Sequence, residues 1–504
     1  MNLQPVIGLE THIQLKTASK MFCGCSNFSD NAQPNTNVCP VCLGHPGSLP
    51  VPNMQAVRWA ILLGLALDGT IAKESRFDRK NYFYPDLPKS YQISQFDLPI
   101  MREGSIRLEI PGEANTITVG IERLHLEEDA AKNIHGEDGK TYVDFNRGGT
   151  PLVEIVSHPH FTSAAEAKAY MQELRLIVRT LEISDGDMEK GQLRCDVNVS
   201  LREVTEEGEP VSKSLNPKTE IKNVNSFRAV GRAIEYEILR QTKLWEAGDV
   251  PRTTTTRGWN DAMGVTEEQR GKEGSADYRY FPEPDIFPMD LTDLADEIAH
   301  TIPELPRARR NRMILEYGLK YADAKQLIDD PALADFAEQS LSELEAWLQA
   351  HPDLDSEEAE VERKKLTSLF MSWLLNKLLG LLAERKIDIK IMKIDPENFA
   401  ELIVLIAEGK LTGQAGLKVL ARMLDDGSDP SHAMDELGAS RVDDVTELGK
   451  IIDAIIEDSP DEVGRYKAGE TKLLQWFVGR VMKETRGNAD PDTTIRLLGE
   501  RMRD

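Results

Sequence analysis

The chain has 504 residues, 40% hydrophobic and 29% charged, with 26 prolines and 35 glycines; it is too long for one ordinary core and has the composition of two to four globular domains, not of a disordered or collagen-like chain. Sixty basic against 85 acidic residues leave a formal charge of -25, which argues against indiscriminate coating of a polyanion. The apolar run AILLGLALDG from Ala60 falls short of the roughly 20 residues of a membrane helix, and Met1 to Glu10 lacks the basic and apolar regions of a signal peptide; a cytoplasmic protein with no membrane association is expected.

From Met1 to about Phe287, short alternating segments punctuated by Gly and Pro predict a sheet-dominated body, and the class is α+β. In the first segment, GLETHIQLK, alternation puts Leu9, Thr11, Ile13 and Leu15 on one strand face and Glu10, His12 and Gln14 on the other. A carboxylate and an imidazole therefore lie side by side, an arrangement that taken alone is better read as a satisfied structural pair than as a site. Cys23, Cys25, Cys39 and Cys42 follow as C-x-C, thirteen residues, then C-x-x-C. Two close thiol pairs on one loop can surround a tetrahedral Zn2+, and a closed four-thiolate set leaves no position for substrate, so the zinc is structural. A redox or iron-sulfur site is the lesser alternative.

A helix is expected over Met54 to Ala66. Then FDRKNYFYPDLPKSYQISQ interleaves Arg79, Lys80 and Lys89 with Tyr82, Phe83, Tyr84 and Tyr91; cations that neutralise phosphate beside rings that stack on a base suit a nucleotide or an RNA end, and the plainer reading is a loop with packed tyrosines. RLHLEEDA brings His125, Glu127, Glu128 and Asp129 to the end of a strand. Glu154 lies among Leu152, Val153, Ile155 and Val156, where an acid is costly to bury without a partner. A hard divalent cation held by several carboxylates would be such a partner. Helices are expected over Ser163 to Leu181, capped by Ser163, and over Asn225 to Ala247. Between them Cys195 reads as a buried strand residue and not a nucleophile. A second aromatic string, SADYRYFPEPDIFP, runs from Ser275 to Pro288.

After TIPELPRARRNRM the text turns to long helices, with a further shift near Pro396. In the last part, Gly464 to Gly487 carries Arg465, Lys467, Lys472, Arg480, Lys483 and Arg486 against Glu470 and Glu484. Leu473, Leu474, Trp476, Phe477, Val478, Val481 and Met482 supply the apolar face of a helix. The sequence has no P-loop, no dinucleotide fingerprint, no kinase signature set and no G-x-S-x-G elbow, so any use of ATP calls for an unconventional site.

VIGLETHIQL, FDRKNYFYPDLPKSYQISQ, RLHLEEDA, DFNRGGTPLVEIV, LRCDVNVS, IKNVNSF, DYRYFPEPD and IPELP, in this order, resemble the B subunits of the aspartyl/glutamyl-tRNA amidotransferases, the GatB family, over nearly the whole chain. The resemblance implies a cradle-shaped catalytic domain over 1–293 holding ATP, Mg2+ and zinc, an all-helical domain over 294–395, and a YqeY-like tRNA-binding tail over 396–504. It implies a heterotrimer with a glutaminase, the A subunit, and with a small C subunit, acting on misacylated tRNA. Mg2+ and ATP activate the side-chain carboxylate of Glu-tRNA(Gln) or Asp-tRNA(Asn) by phosphorylation, and ammonia channelled from the glutaminase displaces the phosphate. Family metal and catalytic positions fall on His12, Glu127 and Glu154, with Glu10 a further magnesium ligand, and the zinc cysteines on Cys23, Cys25, Cys39 and Cys42. Arg79, Lys80, Tyr82 and Lys89 then face the nucleotide or the tRNA acceptor end, and Lys467, Lys472, Arg480 and Lys483 the tRNA body. Readings from other classes are a stand-alone metal-dependent hydrolase and a non-catalytic, zinc-containing RNA-binding assembly subunit.

Overall fold

Alternation along GLETHIQ does place a strand there, and that strand is the middle of the fold. In the computed structural model, which describes residues 2–28, 32–110, 116–269, 278–350, 356–439, 445–485 and 489–502, β1 (Asn2–Gln14) is followed by α1 (Met54–Ala66), β2 (Thr70–Ile71), β3 (Glu74–Ser75), β4 (Asp78–Asn81), β5 (Tyr91–Ser94), β6 (Met101–Glu109) and β7 (Thr116–Glu128). Next come β8 (Lys132–His135), β9 (Thr141–Asp144), β10 (Pro151–Ser157), α2 (Ala164–Thr180), β11 (Leu193–Val204), β12 (Thr219–Val224) and α3 (Phe227–Glu246). β13 (Thr255–Asn260), β14 (Val265–Glu268), β15 (Phe281–Pro282), β16 (Met289–Asp290) and α4 (Thr292–Ala299) complete this part. Nine strands form one sheet in the order β14-β13-β12-β11-β1-β10-β7-β6-β2, antiparallel except where β12 meets β13.

One face of this sheet is the core. Ile7, Leu9, Ile13, Leu124, Leu126, Val153, Ile155, Val197 and Val199 are buried with the apolar sides of α1, α2 and α3. Beneath β1, Thr11 Oγ1 reaches Met171 Sδ at 3.7 Å and Phe161 meets Tyr170 edge-on. α2 starts where the sequence places it: Ser163 accepts from the Glu166 N–H while the Glu166 side chain accepts from the Ser163 N–H, a reciprocal cap. Cys195 is 2% exposed on this core face, as expected, and burial pushes its thiol up. Because strand side chains alternate, Glu10, His12, His125, Glu127 and Glu154 emerge on the opposite face.

The chain divides into two units, Met1–Pro306 and Arg307–Asp504. The first therefore runs past the expected limit at 293, because α4 packs on α1. The second unit is helical: α5 (Pro306–Tyr317), α6 (Tyr321–Ile328), α7 (Pro331–Gln349), α8 (Ser356–Trp373), α9 (Leu379–Arg385), α10 (Pro396–Ala407), α11 (Gly413–Asp426), α12 (Pro430–Glu436), α13 (Val445–Glu457), α14 (Pro460–Lys467), α15 (Leu473–Glu484) and α16 (Pro491–Arg501). Phe399 of α10 meets Phe336 of α7 and Phe370 of α8, each at 5.6 Å between ring centroids, so the helices on either side of residue 395 share a core. α8 passes through a π turn at Leu374–Leu378 into α9. The resulting stretch Glu357–Arg385 is long and apolar enough to cross a membrane by length and composition alone, a signal that the sequence reading, which stopped at Ala60, missed. Its Leu366, Phe370, Met371, Leu374, Leu378 and Leu382 are buried within the helical unit, the position of a core helix.

The basic run of the tail is two helices and not one, since Gly469, at φ 109°, turns the chain between α14 and α15. Phe477, Val478 and Val481 of α15 join a core with Leu448, Ile452, Leu497 and Leu498. Trp476, expected on that apolar face, is 39% exposed: it sits about 100° around the helix from Phe477 and lies under the Arg480 guanidinium.

Candidate active site on the polar face of the sheet

Antiparallel register brings residues from four strands into one row. His125 of β7 stands opposite Glu154 of β10, Glu154 opposite His12 of β1, and His12 opposite Arg194 of β11. Glu127 lies one pleat along β7 from His125, on the same face. His12 Nε2 is 3.5 Å from Glu127 Oε1 and 3.4 Å from Glu154 Oε2, and His125 Nε2 meets that same Glu154 oxygen at 3.2 Å. Three ligand atoms, one each from His12, Glu127 and Glu154, lie within 4.8 Å of one another.

The electrostatics follow from this crowding. Burial opposes a charge on His12, but Glu154 and Glu127 outweigh it and raise the imidazole from 6.5 to about 9. Burial likewise works against the Glu154 carboxylate, and His125 and His12 overcome it, holding Glu154 well below the ordinary carboxylate range. His125 Nδ1 is buried without a hydrogen-bond partner. His125 joins the expected residues, and its i, i+2 relation to Glu127 on an alternating strand is the local signal that puts the two on one face.

The other expected residues separate into two groups. Glu10 shares the polar face but lies outside the cluster, with Asn198 Nδ2 at 2.9 Å and Lys218 Nζ at 3.7 Å from its Oε1. Glu128 takes the Lys89 ammonium at 2.5 Å and the Ile93 N–H at 3.0 Å, and Asp129 takes Arg194 at 2.5 Å and Gln14 at 3.1 Å. Arg79 is held by the buried Glu283 through two 2.7 Å bonds and lies over the Tyr91 ring. Two of the three cations read from FDRKNYFYPDLPK are thus bound to carboxylates 204 and 39 positions away, pairings that leave no local sign in the sequence. Lys80 alone faces the cluster: burial works against its charge, yet Glu127, Tyr280 and Glu154 raise its pKa. Its Nζ is 5.1 Å above the Tyr278 ring, and Tyr278 in turn packs against Tyr82 and Tyr280. Of the second aromatic string, residues 275–277 lie outside the described residues.

Cys23, Cys25, Cys39 and Cys42 do converge, with all four sulfurs within 4.8 Å. The Cys39 and Cys42 sulfurs are 3.9 Å apart, near the roughly 3.8 Å edge of a tetrahedron with 2.3 Å zinc–sulfur bonds, and the set could hold a zinc ion. A hydrogen bond from Cys23 pulls Cys42 down to about 4 against burial, helped by the Cys39 N–H and the Lys20 ammonium. That same bond, with burial, pushes Cys23 up. Lys20 is 1% exposed; its Nζ donates to the Asn37 and Phe145 carbonyls at 2.9 and 3.3 Å, so the loop is tied to the turn that leads into β10. In the tail, Lys467, Lys472 and Lys483 are exposed and Arg480 is half-buried; Arg486 lies outside the described residues.

Residues 5–296 match the GatB/GatE catalytic domain and residues 357–502 the GatB domain. The chain belongs to the GatB family. A relative from Crocosphaera subtropica is 44% identical over 98% of this chain and 96% of its own length. One from Thermotoga maritima is 44% identical over 99% and 98%, and one from Thermoanaerobacter sp. 42% identical over the full length of both. Each is named as the B subunit of an aspartyl/glutamyl-tRNA(Asn/Gln) amidotransferase. A part in the tRNA amidotransferase complex, and so in translation, follows for this member of the GatB family.

Two outcomes are expected of the site. In metal-free protein the His12 imidazole titrates near pH 9, read by NMR; the stability it contributes is complete below pH 6.5 and disappears as the pH rises through 9. A midpoint near 6.5 would show that Glu127 and Glu154 do not hold its proton. Elemental analysis of freshly purified, reduced protein should find one zinc per chain, and Cys39→Ser should lower thermal stability by several degrees. No bound metal would remove the zinc assignment.

Proposed function

We propose that the chain is the amidating component of a tRNA-dependent amidotransferase, acting with a glutaminase (the A subunit) and a small C subunit, in the cytoplasm, on Glu-tRNA(Gln), Asp-tRNA(Asn) or both. The observation that carries this reading is the buried convergence of His12, His125, Glu127 and Glu154 on the polar face of the sheet, within a family named for the reaction. A non-catalytic assembly protein would have no use for it.

A carboxylate is a poor acyl donor until one oxygen becomes part of a leaving group. The substrate's side-chain carboxylate attacks the terminal phosphorus of ATP and ADP departs; ammonia then attacks the acyl carbon, phosphate leaves with its oxygen, and a proton is released. Glu127 and Glu154 offer hard oxygen donors and His12 one nitrogen, three convergent ligands that fit an octahedral ion retaining open positions, so these residues would hold Mg2+. Bound there, the ion would offset triphosphate charge. Lys80 supplies a fixed ammonium toward the transferring phosphoryl group, and the Tyr82, Tyr278 and Tyr280 rings offer faces for a base. His125 positions Glu154. We assign the zinc of the four-cysteine set a structural role, because its four ligands leave no open coordination position.

In the assembled heterotrimer, Glu127→Gln or Glu154→Gln should lower tRNA-dependent amidation on the order of a hundredfold or more, while glutamine hydrolysis by the glutaminase stays measurable. Near wild-type amidation by both variants would sink the assignment.

The tail is proposed to grip the tRNA body through Lys467, Lys472, Arg480 and Lys483. Since α13 to α16 have a core of their own, whereas α10 is built into that of α7 and α8, the informative truncation removes residues 445–504. It should raise the Michaelis constant for aminoacyl-tRNA and flatten the salt dependence by about 0.7–0.9 in log–log slope per lost phosphate contact. An unchanged affinity and slope would show that the basic run is only a solvated surface.

A further inference from the structure

Glu10, expected among the magnesium ligands, stands apart from the His12 cluster and borders a cavity of its own. This cavity, of about 570 Å³, opens between β1, β10, β11 and the segments 215–218 and 252–254. Its wall includes Glu10 and Asn198, with Lys218 and Arg252 as its cations. Gly8 stands opposite Asn198 in the register, so no side chain from β1 fills the space there. Asn198 is 8% exposed. Its Nδ2 donates to Glu10 Oε1 at 2.9 Å, which fixes both the carboxylate and the sense of the amide, and its own Oδ1 is buried without a partner. Lys218 is 3.7 Å from the same Oε1, so the carboxylate's only cationic neighbour within ion-pair distance among the described residues is an ammonium group.

We propose that Glu10 and Asn198 form a seat for the α-ammonium group of the aminoacyl ester, which makes them specificity-determining residues for the substrate. This rests on the amidation reading above. An ammonium carries three donors and no acceptor, the complement of a carboxylate oxygen beside an unpartnered amide oxygen. Glu10 and His12 are about 7 Å apart along one face of β1. In an aspartyl or glutamyl group, three or four bonds of about 1.5 Å separate the ammonium nitrogen from the side-chain carboxyl carbon. An ammonium within about 2.8 Å of Glu10 therefore leaves that carboxyl at the His12 cluster. Arg252 would lie toward the phosphate that follows the terminal ribose, and Lys218 would give up Glu10 to the substrate's ammonium group. The seat accepts both amino acids, because the ammonium is common to them, and excludes an N-acylated one.

The test uses the assembled heterotrimer and compares Glu-tRNA with N-acetyl-Glu-tRNA. For the wild type, acetylation should lower kcat/KM about tenfold or more. Glu10→Gln, nearly isosteric, should raise KM for Glu-tRNA about tenfold with a smaller change in kcat, bring the two substrates close to parity, and keep the Mg2+ concentration for half-maximal rate where it is in the wild type. Equal use of both substrates by the wild type would overturn the seat. So would a shift in the Mg2+ requirement of Glu10→Gln, which would make Glu10 a metal ligand instead. Failure of the wild type to amidate either Glu-tRNA(Gln) or Asp-tRNA(Asn) would overturn the functional reading, and the seat with it.

Discussion

The burial of one carboxylate governs the arrangement around it. Glu154 is 8% exposed in the middle of a strand whose neighbours are aliphatic, and an ionised acid there is tolerable only with donors aimed at it. Two imidazoles on one of its oxygens supply them, and both arrive through backbone register: β7 brings His125 and β1 brings His12. A slip of one residue in either ladder would turn that imidazole into the helical core and leave the acid without it. The site and the sheet therefore specify each other.

The core face makes the polar face possible. α1, α2 and α3 cover one side of the sheet, so the aliphatic half of every central strand has a place to go and the other half is free to carry chemistry. Bracing comes from outside the strands as well. The cysteine loop holds Lys20 against the Phe145 carbonyl, Asn37 N–H donates to Asn146 Oδ1 at 2.8 Å, and the Met21 N–H donates to the Gly149 carbonyl at 2.7 Å. These contacts pin the turn between β9 and β10, so a thiol cluster apart from His12, Glu127 and Glu154 still helps to fix the strand bearing Glu154.

Much of this was legible in the sequence because alternation and capping are local signals. The faces of β1, the position of Glu154 among aliphatics, the helices α1, α2 and α3 and the cysteine set were all read from residues close together in the chain. What the sequence hid depends on partners far away. Arg79 and Lys89 looked available for phosphate until Glu283 and Glu128 appeared beside them, the partners Asn198 and Lys218 of Glu10 lie far along the chain, and Trp476 looked like part of an apolar face until the rotation of α15 was known. His125 is a different case, since its spacing from Glu127 already placed it on the site face.

The central position of β1 also constrains how the protein is made. It is synthesised well before its ladder partners, which lie at residues 151–157 and 193–204. At about 5–20 residues per second, roughly ten seconds or more pass on the ribosome before either edge of β1 can be paired, and during that interval a thirteen-residue strand with an apolar face has no native place to go. The nascent chain must therefore be shielded or kept unstructured until α2 and β11 have emerged. Substitutions that make β1 more strand-prone or more apolar would then reduce the yield of folded chain even if they stabilise the finished sheet.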